Sequence, residues 1–184
     1  MTCELEQWDL TELRDLVNRT LKGADGWEAL VALEKQNKIL RKQFPEGPTA
    51  AATAPLQALS EELSQLALEL AKEFSKRGKG EYEEHAWRLR SKAICTAHSF
   101  ERHRVGPAML DWADCSLRLG KREAADAIYT AIIKDFTELI RSEPQPTWEW
   151  LTGLQCLERA LEGHSKPYEM LIEKTRESLA LFGE

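Results

Sequence analysis

The stretch LRLGKREAADAIY, Leu117 to Tyr129, decides how this chain is read. An apolar run ends at Gly120, a charged pair follows, and then come alanines, Ile128 and Tyr129. Glycine accepts the left-handed backbone that stops a helix with less strain than any other residue. Ala113 before the turn and Ala125 after it let two helices approach closely, and Tyr129 fills the space that small residues leave. The stretch therefore predicts two antiparallel helices joined by a glycine turn.

Working outward, the same arrangement recurs as four pairs of helical segments. In the first, Asp9 and Glu12 have capping-box spacing, and Leu10, Leu13, Leu16, Val17 and Leu21 follow before Gly23. Asp25 is expected to cap the partner, whose stripe is Trp27, Leu30, Leu33, Asn37 and Leu40, ending near Gln43. The second pair opens after Pro55 with Leu59, Leu63, Leu66, Leu70 and Phe74, turns at KRGKG, and returns with Tyr82, Ala86, Leu89, Ala93, Ala97 and Phe100. Trp87 and Ile94 lie off that stripe, so this helix is expected to be packed on two sides. The third pair starts after Gly106-Pro107 with Met109, Trp112, Ala113 and Leu117, and returns through Ala125, Ile128, Tyr129, Ile132, Phe136 and Leu139. In the fourth, Thr147 caps Trp148, Leu151, Leu154, Leu157 and Leu161, and Ser165 caps a last helix with Tyr168, Leu171, Ile172, Thr175, Leu179 and Phe182. Glycines 23, 78, 120 and 163 occupy the inner turns, and prolines 55, 107, 144 and 146 the outer ones. The fold class is all-α: stacked hairpins in a short solenoid, or an irregular helical bundle whose similar helix lengths give the same spacing.

The chain has 184 residues, enough for one domain or two small ones. FPEGPTAAATAP, Phe44 to Pro55, holds three prolines and a glycine, and divides the chain into a hairpin (1–43), a linker (44–55) and three stacked hairpins (56–184). A formal charge of -6 argues against a dedicated nucleic-acid binder. No apolar run approaches a membrane span, and MTCELEQWDL has no signal-peptide pattern. Cys3, Cys95, Cys115 and Cys156 form no CxxC, and three have apolar neighbours. These features fit a cytoplasmic protein with reduced, mostly buried thiols.

MLDWADCSLRLGKREAADAIYTAII, Met109 to Ile133, resembles a tetratricopeptide (TPR) repeat, with Trp112, Ala113, Gly120, Ala125 and Tyr129 at the family's spacings. Ser116 stands where the family usually has an aromatic, and Ile132 where it has alanine. The resemblance covers residues 107–141 and half of the preceding unit, through Leu70, Ala71, Phe74 and Gly78. It implies a groove lined by the first helix of each pair, with Lys72, Lys76, Leu110, Asp114 and Arg118 facing a peptide or helix of a partner protein.

Motifs for chemistry are scarce. HExxH, ExxH, GxSxG and GxxxxGK[ST] are absent, so neither a metal nor a cofactor is expected. Glu81 and His85 have the spacing of a surface ion pair. Cys95 lies one turn before His98, a spacing that a nucleophile and base share with ordinary core residues. Residues 76–104 carry eight basic and four acidic residues, a net +4 in an acidic chain, with Tyr82, Trp87 and Phe100 interleaved. Arg88, Arg90, Arg102 and Arg104 are the candidate contacts for RNA or another polyanion. Trp148 and Trp150 cannot both face one core, so one is expected at a second helix contact or on an exposed binding patch. The sequence thus favours a non-enzymatic protein-interaction module, with polyanion binding as the alternative.

Overall fold

The computed structural model of the chain describes residues 10–43, 53–98 and 101–182. Among them are eight α-helices and no strand: α1 (Thr11–Leu21), α2 (Trp27–Lys42), α3 (Thr53–Lys76), α4 (Gly80–Ala97), α5 (Arg102–Arg118), α6 (Arg122–Phe136), α7 (Trp148–Gly163) and α8 (Glu169–Ala180). A 3-10 turn, Thr137–Ile140, extends α6. The protein is all-α, and consecutive helices pack on one another as expected for hairpins. As the two apolar faces of α4 require, it packs on α2, α3 and α5.

Helix ends depart from the sequence reading in informative ways. Asp9 and Phe100 lie outside the described residues, as does most of the 44–55 linker. The linker stops short of Pro55, which sits in the first turn of α3, where a missing N–H costs nothing. Gly106-Pro107 is not an outer turn. α5 begins at Arg102 and carries Pro107 inside it. The reason is packing: a Cβ on Gly106 would lie 2.7 Å from both Cys156 Sγ and Phe136 Cε2, so this glycine marks a helix crossing. Gly163 is likewise a contact, since its Cβ would meet the Tyr129 ring at 2.6 Å. Gly23, Gly78 and Gly120 do take the positive φ expected of turns. Thr147 caps α7 as read, accepting from the Trp150 N–H at 3.3 Å. Asp25 bonds the Trp27 N–H at 3.3 Å from one residue before the Gly26 cap. Ser165 does not cap α8, which begins at Glu169.

Ser165 instead belongs to a ladder that joins the inner turns. Lys79, just after Gly78, donates to Asp25 Oδ1 at the start of α2, at 2.5 Å. Lys121, just after Gly120, donates to Glu81 (2.7 Å) and Glu84 (2.5 Å) in the first turns of α4. The Ser165 N–H, just beyond Gly163, donates to Asp126 Oδ1 in the first turns of α6 at 3.1 Å. Each turn thus reaches back to an acid that opens the second helix of the preceding hairpin. Such acids suit the positive end of a helix dipole, so one residue serves both the helix and the stacking.

The apolar side chains form two cores. One holds Leu13, Val17, Leu30, Leu33 and Leu40 together with Leu63, Leu70, Phe74 and Leu89. The other holds Leu110, Ala113, Ala125, Tyr129, Ile132, Phe136, Leu154 and Leu157. The first hairpin therefore shares its core with α3 and α4, and the break between cores falls at α4–α5. The backbones of α3 and α5 do not pack on each other, and the Arg104–Glu61 ion pair bridges them.

Candidate functional site

The structure does not bring the five sequence-predicted groove residues together. Leu110 is a core residue, 1% exposed, so no partner reaches it. Asp114 accepts from the Tyr129 hydroxyl at 2.8 Å and from Arg159 at 2.6 Å, tying α5 to α6 and α7. The Tyr129 hydroxyl titrates above its ordinary range, through burial first and then the Asp114 bond. Arg118 pairs with Glu83 of α4 at 2.5 Å. Arg118 stays exposed beside that pair, as do Lys72 and Lys76 on α3, where Lys76 lies 3.8 Å from Glu73.

The four candidate arginines scatter in the same way. Arg90 pairs with Asp111 at 2.5 Å and lies over the Trp87 ring. Arg102 pairs with Glu138 at 3.3 Å. Arg104 pairs with Glu61 and, at 2.8 Å, with Glu101. Arg88 alone has no carboxylate partner within 4 Å among the described residues, and its Nε is buried without a hydrogen bond. The net charge of the 76–104 segment is thus largely neutralised by acids from other elements.

Cys95 and His98 do not form a nucleophile–base pair. The Cys95 sulfur lies 3.8 Å from Ser91 Oγ, and burial pushes its thiol up. Buried His98 pairs through Nδ1 with Glu101 at 2.8 Å. The other described thiols, Cys115 and Cys156, are buried and free, raised by burial to about 12 and about 11. No group of three or more metal-ligating side chains occurs among the described residues.

What the fold does assemble is a surface seam where α2 packs on α4, the groove of two facing side-chain stripes. Trp27, Val31, Glu34, Lys38 and Arg41 recur at three- and four-residue steps, so they share one side of α2. Tyr82, His85, Arg88 and Lys92 form the matching stripe of α4. One end is apolar. Trp27 is 50% exposed and Val31 49%, and the Trp27 ring stands 5.8 Å from Tyr82 and 6.3 Å from His85. Trp27 therefore does not join the core stripe read from the sequence. At mid-groove, Glu34 sits 3.4 Å from His85 Nε2 and 3.5 Å from Lys38. The other end holds Lys38, Arg41, Arg88 and Lys92. The Lys92 side chain is exposed, yet packing around its ammonium lowers its pKa, and Arg88, Arg41 and Lys38 push the same way while Glu34 opposes. His85 is held below its ordinary 6.5, by burial first and then by the Arg88 charge.

A second exposed set lies at the far end of the molecule: Trp148 (62%), Met170 (71%) and Leu181 (65%). Trp148 is the outward member of the Trp148–Trp150 pair, while Trp150 is buried.

The fold defines an all-α protein of neighbouring helix pairs, with an amphipathic surface strip along the α2–α4 seam. The chain matches no protein-family model, no curated protein and no solved structure. No helix among the described residues is long and apolar enough to cross a membrane.

Proposed function

We propose that this chain is a cytoplasmic, TPR-like scaffold that binds a partner protein and performs no chemistry of its own. One observation carries this: a tryptophan and a valine, each half-exposed, stand side by side on α2 and continue into a charged channel. Single exposed apolar residues are ordinary, but an aromatic–aliphatic pair leading into fixed charges has the composition of a recognition surface. The turn-to-turn ladder supports the repeat element of the proposal, since the same acid-to-turn link recurs at each step between hairpins. The resemblance to TPR repeats rests on residues 107–141 and adds the expectation that the partner is a peptide or helix.

The test is site-specific photocrosslinking in the native cell, with a benzophenone amino acid replacing Val31. A discrete protein adduct that withstands ribonuclease is expected. Absence of an adduct from Val31 and from equivalent probes at Trp148 and Met170 would remove the proposal. An adduct destroyed by ribonuclease would instead support polyanion binding.

A further inference from the structure

We infer that the α2–α4 groove takes an acidic amphipathic segment of a partner protein, with apolar side chains on Trp27, Val31 and Tyr82 and carboxylates on Lys38, Arg41, Arg88 and Lys92. The inference rests on the protein-binding reading above and names the chemistry of its partner.

Charge complementarity is the first support. Four cations converge at one end of the groove, where Glu34 pairs with Lys38 and His85; Asp25, at the opposite end, bonds Tyr82 and is matched by Lys79. Elsewhere on the molecule, the bases near α4 and α5 are matched by acids: Arg90 by Asp111, Arg118 by Glu83, and Lys121 by Glu81 and Glu84. Arg41, Arg88 and Lys92 have no such partner within 4 Å among the described residues, and the buried Arg88 Nε has no acceptor at all. A cation cluster left unmatched in a protein of net charge -6 is a surface that gains from an incoming anion.

The apolar end is the second support, and it separates a protein partner from a nucleic acid. Trp27 presents half its surface while its ring is fixed against Tyr82 and His85. Val31 lies one turn further toward the basic end. An aliphatic side chain such as valine offers a base nothing to stack on, whereas it packs against leucine or phenylalanine. From Trp27 to Arg41 the channel runs 14 residues along α2, about 21 Å at 1.5 Å per residue, the length of a four-turn helix. Dispersion and burial at one end supply affinity, and the cations at the other fix register and direction.

The test uses the full chain. A library of random 14-residue peptides is displayed and selected for binding, and the enriched peptides are measured by fluorescence anisotropy. We expect sequences with a net charge of -3 or lower carrying at least one Leu, Phe or Trp. The double variant Lys38→Glu/Lys92→Glu, whose side chains are exposed and do not support the core, should weaken them at least tenfold. Trp27→Ala should weaken them several-fold, and Arg176→Glu on α8 should leave them within twofold. Circular dichroism checks that each variant is folded. Enriched peptides without acidic bias, or unaffected by the double variant, would overturn the inference while leaving protein binding intact. A 14-nucleotide RNA that displaces the peptides and is indifferent to Trp27→Ala would overturn it in favour of a polyanion. Failure to enrich any peptide, combined with no photoadduct from Val31, Trp148 or Met170, would overturn both readings, whereas an adduct from Trp148 or Met170 alone would overturn this inference and leave protein binding intact.

Discussion

At the residue scale, two glycines with different duties give opposite structural signatures for the same substitution. Gly106 sits in α5 where a Cβ would strike Cys156 and Phe136. Gly106→Ala is an overpacking change and should cost about 1–3 kcal/mol. Gly120 has open space around it but a φ of 75°, so Gly120→Ala should cost about 1–2 kcal/mol through backbone strain alone. Urea denaturation gives both numbers. The sites separate in a second measurement: trimming Phe136 to Leu should relieve part of the Gly106→Ala cost and none of the Gly120→Ala cost. His85 supplies a pH signature. Its folded pKa is depressed, by burial and then by Arg88, with Lys92 adding to the effect and Glu34 opposing it. Below about pH 6.5 the unfolded chain takes up a proton that folded His85 resists. Stability should therefore fall as pH drops from 6.5 toward the lower folded value, by up to about 1.4 kcal/mol per pH unit. His85→Gln should flatten that stretch of the stability–pH curve, and an unchanged slope would show that His85 does not titrate differently on folding. Cys95 makes a third case. Its half-buried thiol, pushed up by burial, should alkylate with iodoacetamide at pH 7.5 more than about tenfold slower than glutathione, as read by peptide mass spectrometry, since only the thiolate reacts. A faster reaction would revive the nucleophile reading.

At the element scale, the helices themselves were legible because buried leucines recur with the helical period, and Leu30, Leu33, Leu63, Leu70, Leu154 and Leu157 all lie in the cores. Helix ends were less legible where proline was taken as punctuation. Pro107 continues α5 because Val105, Gly106 and Ala108 are buried there, and that packing holds the turn helical despite the lost backbone bond. The candidate groove was not legible at all as a unit. Its two stripes lie about fifty residues apart in sequence, and only the stacking of α2 on α4 makes them neighbours. A count of bases along 76–104 could not see that Arg90, Arg102 and Arg104 would meet acids from α5, the 3-10 turn and α3. One signal was present: Trp27, Val31, Lys38 and Arg41 share a helical face distinct from the core stripe Leu30, Leu33 and Leu40. Reading Trp27 into the core hid it. The Tyr129 ring is buried as the stretch implied, 1% exposed in the same core as Ala113 and Ala125, and it lies against Gly163, which the stretch does not contain.

At the scale of the whole molecule, the decisive feature is that two apolar cores meet at a polar junction. α4 and α5 are joined by Arg90–Asp111 and Arg118–Glu83 at 2.5 Å and by the Ser116 hydroxyl on Glu84 at 3.0 Å, and Lys121 in the turn after α5 adds bonds to Glu81 and Glu84. On the facing side of α5, Ala108 and Cys115 are buried but belong to neither large core. Small side chains there bring little apolar area, so ion pairs carry an unusual share of the coupling between halves. Each of these pairs has one partner largely buried and one open to solvent, so they weaken in part when salt shortens the Debye length to about 3 Å at 1 M. Burial raises the Glu84 carboxyl, but its bonds to Lys121 and Ser116 outweigh that and leave its pKa lowered. The stabilisation it gives is therefore present above its unfolded value and lost as pH falls through its folded one. Hydrogen exchange in sub-denaturing urea should accordingly resolve α1–α4 and α5–α8 as two units of unequal opening free energy. Raising NaCl from 0.1 to 1 M should widen the gap between them, and Glu84→Gln should do so even at low salt. A single exchange transition shared by amides of α3 and α7 under all these conditions would mean that the junction couples the halves as tightly as a continuous apolar core.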